Sequence, residues 1–373
     1  MKSYIVVGAG VLGVSTAYHL AKAGAKVTVV DRKDIGQATD AAAGIICPWL
    51  SQRKNKAWYE LAKGGARYYP ALIEELEADG ETNTGYKRVG ALRLHKEDEK
   101  LEEMLERALE RREAAPEMGE IKRLTKKETK EMFPPLDEEY GSIFISGAAR
   151  VDGRALRDAL IRACERKGVE FVQADAQLDV NRYQITGVKT KEGTIKADQV
   201  IVTAGAWAKE MVLPLGEEFL VHPQKAQIVH LELPDTNTEE WPVVMPPTNK
   251  YLLSFDGGRV VIGATHETKE KFDSRVTVGG LHEIFHKVLG VAPGLDKGTM
   301  VETRVGFRPF TPNSLPVFGP LRNYEGLYLA NGLGASGLTS GPYIGAELAR
   351  LVLGQNTELD SHNYRIDLAL SDK

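Results

Sequence analysis

Tyr4-Ile5-Val6-Val7-Gly8-Ala9-Gly10-Val11-Leu12-Gly13 is the stretch that decides the fold. A short apolar run meets glycines at G-x-G-x-x-G spacing, and a helical pattern continues through Leu20. The next apolar run, Lys26-Val27-Thr28-Val29-Val30, ends on Asp31. Gly8 permits a tight turn, Gly10 lets the backbone approach a pyrophosphate, and Gly13 lets the helix sit close to the strand. Phosphates are favoured at a helix N-terminus by free N–H groups and the helix dipole. An acid at the end of the second strand accepts hydrogen bonds from ribose hydroxyls. The spacing therefore predicts the first βαβ unit of a dinucleotide-binding domain.

Composition sets the outer bounds. A chain of 373 residues is long enough for two domains. Hydrophobic residues make up 42% and charged residues 27%, which suits a soluble globular protein. A net charge of -4 predicts no general affinity for nucleic acid or anionic membrane. No apolar run is as long as a membrane span. Met1-Lys2-Ser3 leads straight into a core strand, so no cleavable signal is expected. Cys47 and Cys164 make neither a metal cluster nor a disulfide framework, and a reducing cytoplasm fits. No metal site is expected.

Further along, Lys96 to Lys130 is rich in Glu, Lys and Arg, with Leu101, Met104, Leu105 and Leu109 at helical spacing. It reads as a solvated helical pair on the surface. An amphipathic helix from Arg154 and a strand Val169-Glu170-Phe171-Val172 form a second βαβ-like region. The strand Asp198 to Val202 ends in Thr203-Ala204-Gly205, small residues that admit a close backbone approach. From His222 to Gly263 the pattern changes to short antiparallel strands, with Gly257-Gly258 as a hairpin turn. Near the end, the strand Gly326 to Ala330 delivers Asn331-Gly332-Leu333-Gly334-Ala335-Ser336-Gly337 to a helix reaching Leu353. This second glycine cluster cannot open another βαβ unit, because too little chain follows. It can present a helix N-terminus to a partial negative charge.

Several of these motifs, in order along nearly the whole chain, resemble the D-amino-acid oxidase-like family of FAD-dependent amine oxidoreductases. The resemblance rests on Gly8 to Gly13, Asp31, Thr39-Asp40-Ala41-Ala42-Ala43-Gly44-Ile45 and Thr203-Ala204-Gly205-Ala206-Trp207. Gly306-Phe307-Arg308-Pro309, Pro316-Val317-Phe318-Gly319 and the loop Asn331 to Thr339 complete it. It implies an α/β fold with a Rossmann-like FAD-binding domain of the glutathione-reductase type and an inserted antiparallel-β substrate domain. The expected FAD-binding segments are 1–85, 148–215 and 300–373. Segments 86–147 and 216–299 would bind substrate. Gly8, Gly10, Val11, Leu12 and Gly13 would surround the pyrophosphate, and Asp31 and Arg32 would meet the adenosine ribose. Thr39, Ala43, Gly44 and Ile45 would line the flavin and diphosphate. Gln177 would contact adenine through its backbone, and Gly205 would let the backbone approach. Gly334, Ala335, Ser336, Gly337, Leu338 and Thr339 would run along the flavin pyrimidine ring. Covalent-flavin relatives carry a cysteine before the C-terminal glycine loop. None stands there in this chain, so the resemblance implies non-covalent FAD.

The implied chemistry is hydride transfer to flavin N5 from the carbon next to an amine nitrogen, giving imine and hydrogen peroxide. Arg308 is the expected carboxylate anchor, since its planar fork fits a carboxylate. Tyr251 would support the same carboxylate. His266 would either face the substrate, supplying positive charge for oxygen if protonated, or cap a loop. Sarcosine oxidases place a lysine near the flavin, and the strand Arg259 to Gly263 offers none. The expected partners are a small amine or amino acid and an electron acceptor, oxygen or another carrier, with self-association left open. Two alternatives stand beside an oxidase. One is a D-amino-acid dehydrogenase passing electrons to a quinone or carrier. The other is a non-catalytic flavin-binding subunit.

Overall fold

The structure, a computed structural model, describes residues 2–268 and 271–371. It is built on two large sheets. A six-stranded sheet has the order Val317–Pro320, Leu327–Asn331, Gln199–Val202, Ser3–Val7, Lys26–Asp31 and Glu170–Gln173. All its neighbours are parallel except the first pair. The opening strand lies inside this sheet and is buried on both faces, which is why it reads as an unbroken apolar run. The helix Val11–Lys22 follows it and is almost wholly buried. Its Ser15 hydroxyl donates to Pro342 O at 2.8 Å in the helix Gly337–Val352, and the Cys164 thiol of the helix Gly153–Arg166 approaches Val14 O. Tyr69 and Leu72, from the helix Lys56–Ala78, extend this core.

The second sheet has eight strands: Thr299–Phe310, His222–Glu232, Arg259–Gly263, Tyr251–Ser254, Val243–Met245, Ala91–His95, Gly141–Ile145 and Ile121–Leu124. The antiparallel strands read between His222 and Gly263 are present, and Gly257 and Gly258 turn with φ of 71° and 76°. Two expectations differ from the structure. The stretch 96–130 is not a helical pair. It is one long helix, Asp98–Glu113, then the edge strand Ile121–Leu124 and a short helix, Lys126–Met132. Pro116 and Gly119 stop the first helix, and pairing with Gly141–Ile145 claims the next residues. The first helix buries Leu101 and Met104 against Ile143.

The other difference lies at residue 300, where the last FAD-binding segment is expected to begin. Thr299–Phe310 instead pairs with His222–Glu232 along its whole length. Pro309 stands opposite Pro223 in that ladder. The strand is at the sheet edge, where a residue without N–H is tolerated.

Candidate active site

A cavity of about 500 Å³ lies where the C-terminal ends of the parallel strands meet one face of the eight-stranded sheet. Open α/β sheets place ligands beyond the carboxyl ends of their strands. Gly8, Gly10, Val11 and Leu12 line the cavity at the first turn. Gly8 has φ of 109°, and its N–H donates to Val30 O at 2.9 Å. Gly13 lies behind the wall. A Cβ there would stand 1.9 Å from Gly8 O, so the helix sits against the strand only because the residue is glycine. Gly10 supplies no side-chain cap, and the first turn carries no acid. The Val11 N–H is taken by the Thr39 hydroxyl at 3.0 Å. The N–H groups of Leu12 and Gly13 precede the first intrahelical bond, Val14 N to Gly10 O, and have no partner among the described residues. Such unpaired donors at the positive end of a helix suit a phosphate.

Asp31 holds this turn. Its carboxylate accepts from Ala9 N at 2.6 Å, Lys33 N at 2.6 Å and Gln37 Nε2 at 3.0 Å. The Gln37 donor is a side chain that a hydroxyl can replace, whereas the other two are main chain. Arg32 also lines the cavity, in a cluster with Asp34, Asp175 and Glu210. Gln177 is an exposed residue of the strand Gln177–Asn181 and does not line the cavity. Ala174, Asp175 and Ala176, just before it, do.

The middle of the wall is made of small residues. Thr39, Ala43, Gly44, Ile45 and Gly205 all line it. Asn331 ties two loops together by donating to Gly205 O at 2.8 Å. Gly334 to Thr339 follow as a single 3₁₀ turn running into the helix Gly337–Val352. That helix has no side-chain cap, and Ser336 Oγ accepts from Trp58 Nε1 at 3.0 Å. Thr339 bonds Ile45 O at 2.9 Å, joining this loop to the Thr39–Ile45 segment.

The far end of the cavity belongs to the eight-stranded sheet, which brings Arg308, Tyr251 and His266 together. The Arg308 guanidinium lies beside the Tyr251 hydroxyl, close enough for its charge to act on that group, and donates to His266 Nδ1 at 3.2 Å and toward Gln224 Oε1 at 3.4 Å. Burial moves the Tyr251 hydroxyl up and the Arg308 guanidinium down from their ordinary values. A guanidinium stays charged even so. His266 is lowered to about 4, first by burial and then by the Arg308 charge. It is neutral near pH 7, with Nδ1 accepting. A neutral His266 does not favour the alternative in which it supplies positive charge for oxygen; the charge beside it is that of Arg308. Lys250, next to Tyr251, is buried and bonded to Ala264 O and Glu283, and it does not line the cavity.

Met245, Asn249 and Arg93 also line this end, and the sequence reading missed all three. Arg93 lies on the Ala91–His95 strand just before the charge-rich stretch, and only non-local pairing brings it to the cavity. Cys47 is in the wall too, with its thiol pushed up to about 12 by burial, while Trp49 packs in the core. Cys164 is buried in its helix, away from the cavity.

The family model described as "FAD dependent oxidoreductase", DAO, matches residues 3–351. The chain belongs to this family. FAD is its cofactor, and it is an FAD-dependent oxidase or dehydrogenase. It is 61% identical over 365 residues to the "Uncharacterized oxidoreductase YurR" of Bacillus subtilis (strain 168), covering 98% of each chain. It superposes on the iminodiacetate oxidase of Chelativorans sp. BNC1 with a TM-score of 0.94 and 45% identity, over 97% of this chain and 98% of that one. Against the glycine oxidase of Geobacillus kaustophilus the TM-score is 0.86 at 27% identity, over 98% and 99%. No described helix is long and apolar enough to cross a membrane.

Proposed function

We propose that this protein oxidises the C–N bond of a small amino acid or related amine, releasing an imine, and that it is an oxidase returning hydrogen peroxide. The observation that carries the reading is Arg308 with Tyr251, set in the same cavity as both glycine loops and Asp31. Relatives named glycine oxidase and iminodiacetate oxidase act on small amines that carry carboxylates, which accords with a cationic anchor. FAD supplies an acceptor for the hydride on the carbon next to nitrogen.

The residues present suit that cofactor. The unpaired amides of Leu12 and Gly13 would take the pyrophosphate beside Gly8, Gly10 and Val11. Asp31 and Arg32 would take the ribose end. The small residues Thr39, Ala43, Gly44, Ile45 and Gly205 leave room for an extended group, and Gly334 to Thr339 would offer a helix N-terminus to its electron-rich edge. Ala174 to Ala176 replace Gln177 as the better adenine wall. We assign cofactor binding to segments 1–85, 148–215 and 311–373, and substrate binding to 86–147 and 216–310. The protonated Cys47 thiol supports non-covalent attachment, and two buried, unpaired cysteines accord with a cytoplasmic setting.

Arg308 would clamp the substrate carboxylate, with the Tyr251 hydroxyl sharing it. His266 would fix the guanidinium by accepting at Nδ1. No carboxylate among the described residues lines this end: Asp34, Asp175 and Glu210 all bond Arg32 at the other. The chain thus presents no carboxylate base there, and His266 Nδ1 is already taken by Arg308, so the amine would react in its neutral form.

The test is anaerobic mixing of the yellow holoenzyme with a panel of amines. Bleaching by small amino acids is expected, and no bleaching by any amine would overturn the reading in favour of a non-catalytic flavin subunit. Reduced enzyme mixed with oxygen or with a quinone analogue separates the electron acceptors. Reoxidation by oxygen no faster than free flavin, with fast quinone turnover, assigns a dehydrogenase. Acid precipitation should release all the flavin, and colour left in the pellet would disprove non-covalent binding.

A further inference from the structure

Arg308 is not the only arginine at the substrate end. Arg93 also lines that part of the cavity, half-buried. Its Nη1 donates to Pro246 O at 3.2 Å, and no carboxylate pairs with it among the described residues. A guanidinium carries five donors in a fixed fork, so one carbonyl leaves most of them unused. A half-buried, uncompensated cation is costly unless an anion meets it.

The sheet register places the two arginines. Arg93 is paired with Met245, and the neighbouring ladder pairs Val244 with Leu252. The next position of that antiparallel ladder sets Tyr251 beside Met245. Arg93, Met245 and Tyr251 therefore form one cross-strand row, and all three line the cavity. Two strand steps separate Arg93 from Tyr251, about 10 Å of backbone. Tyr251 in turn stands beside Arg308 in the cavity wall. Two forks thus flank one short stretch of cavity floor, with Met245 between them and no acid at that end.

The geometry points to a second carboxylate subsite at Arg93. The substrate class is then an amine bearing two carboxylates on short arms, an N-carboxymethyl amino acid, with Arg308 and Tyr251 on one carboxylate and Arg93 on the other. This deepens the amine-oxidation reading and rests on it. Arg93 is a specificity residue at the end of the substrate remote from the Arg308 anchor.

Glutarate matches iminodiacetate in length but lacks the nitrogen, so it binds without reacting. Butyrate is the same chain with one carboxylate. Calorimetry and the visible flavin spectrum of the holoenzyme give both affinities. The wild-type protein is expected to hold glutarate about tenfold or more tighter than butyrate, the worth of one charge-assisted hydrogen-bonded pair. Arg93→Met, which keeps an apolar stem of similar length, should bring the ratio near one, and Arg93→Lys should retain part of it. A wild-type ratio near one, or a ratio undiminished in a flavin-replete Arg93→Met protein, overturns the subsite. Arg308→Met reports separately on the underlying reading: butyrate bound as tightly as by wild type would sink the anchor itself.

Discussion

Arg308 carries the sharpest residue-scale expectation. Arg308→Ala should keep FAD and lose about 2–5 kcal/mol of transition-state binding, read as kcat/KM, because a desolvated charge pair is removed. Arg308→Lys should also be impaired, since an ammonium cannot replace the fork. Unchanged efficiency in both would make the arginine structural. A second expectation follows from the missing base. His266 is lowered to about 4 and its Nδ1 is occupied, so it should not titrate in catalysis near neutrality. The rise of kcat/KM with pH should then track the amine pKa of whichever substrate is used. A midpoint that stays fixed when the substrate amine pKa is changed would reveal an enzyme group instead. Arg308 was legible because it stands in a local motif, Gly306-Phe307-Arg308-Pro309. Arg93 was not, because its neighbours in sequence give no hint of the cavity.

At the scale of elements, the contact between the first strand and its helix is the tightest local constraint. Gly13→Ala would force a Cβ to 1.9 Å from Gly8 O and 2.5 Å from Thr203 Oγ1. Relief needs the helix to move off the strand. We expect destabilisation of about 1–3 kcal/mol or more in chemical denaturation, with weaker FAD retention. A variant as stable as wild type would show that the close approach is not needed. The same constraint explains why this part of the fold was readable. A glycine demanded by backbone contact leaves a mark at a fixed offset, and so does an apolar run buried on both faces. The Ile121–Leu124 strand left no such mark. Four residues at a sheet edge, two of them charged, look like the helix that precedes them. The reach of the Thr299–Phe310 strand was hidden for a related reason, since glycine and proline suggest a loop unless the partner strand is known.

For the whole molecule, three histidines set an acid limit. His19 is lowered to about 3, and His230 and His266 to about 4, each first by burial. In the unfolded chain a histidine titrates near about 6.5. Between those values the unfolded state binds more protons, so stability is whole above about 6.5 and falls as pH drops toward 4. Thermal unfolding should shift downward across that window, before most carboxylates protonate. His19→Gln and His230→Gln together should flatten the slope. A Tm indifferent to pH between 6.5 and 4 would count against these buried neutral rings.

The edge strand Thr299–Phe310 also acts as a ruler. Arg308 lines the cavity, and two residues later the Phe310 ring lies where a Cβ on Gly334 would come within 2.7 Å of it. A Cβ on Gly332 would stand 2.3 Å from the hydroxyl of Thr311, the next residue. A single stretch of backbone thus fixes how far the anchor stands from the C-terminal glycine loop. Loops elsewhere can lengthen without altering that interval. One residue inserted between Arg308 and Phe310 cannot, because each step along a strand reverses the side a residue faces. Such an insertion should leave the protein coloured but out of calibration, with substrate captured at the wrong distance from the atom that must receive its hydride.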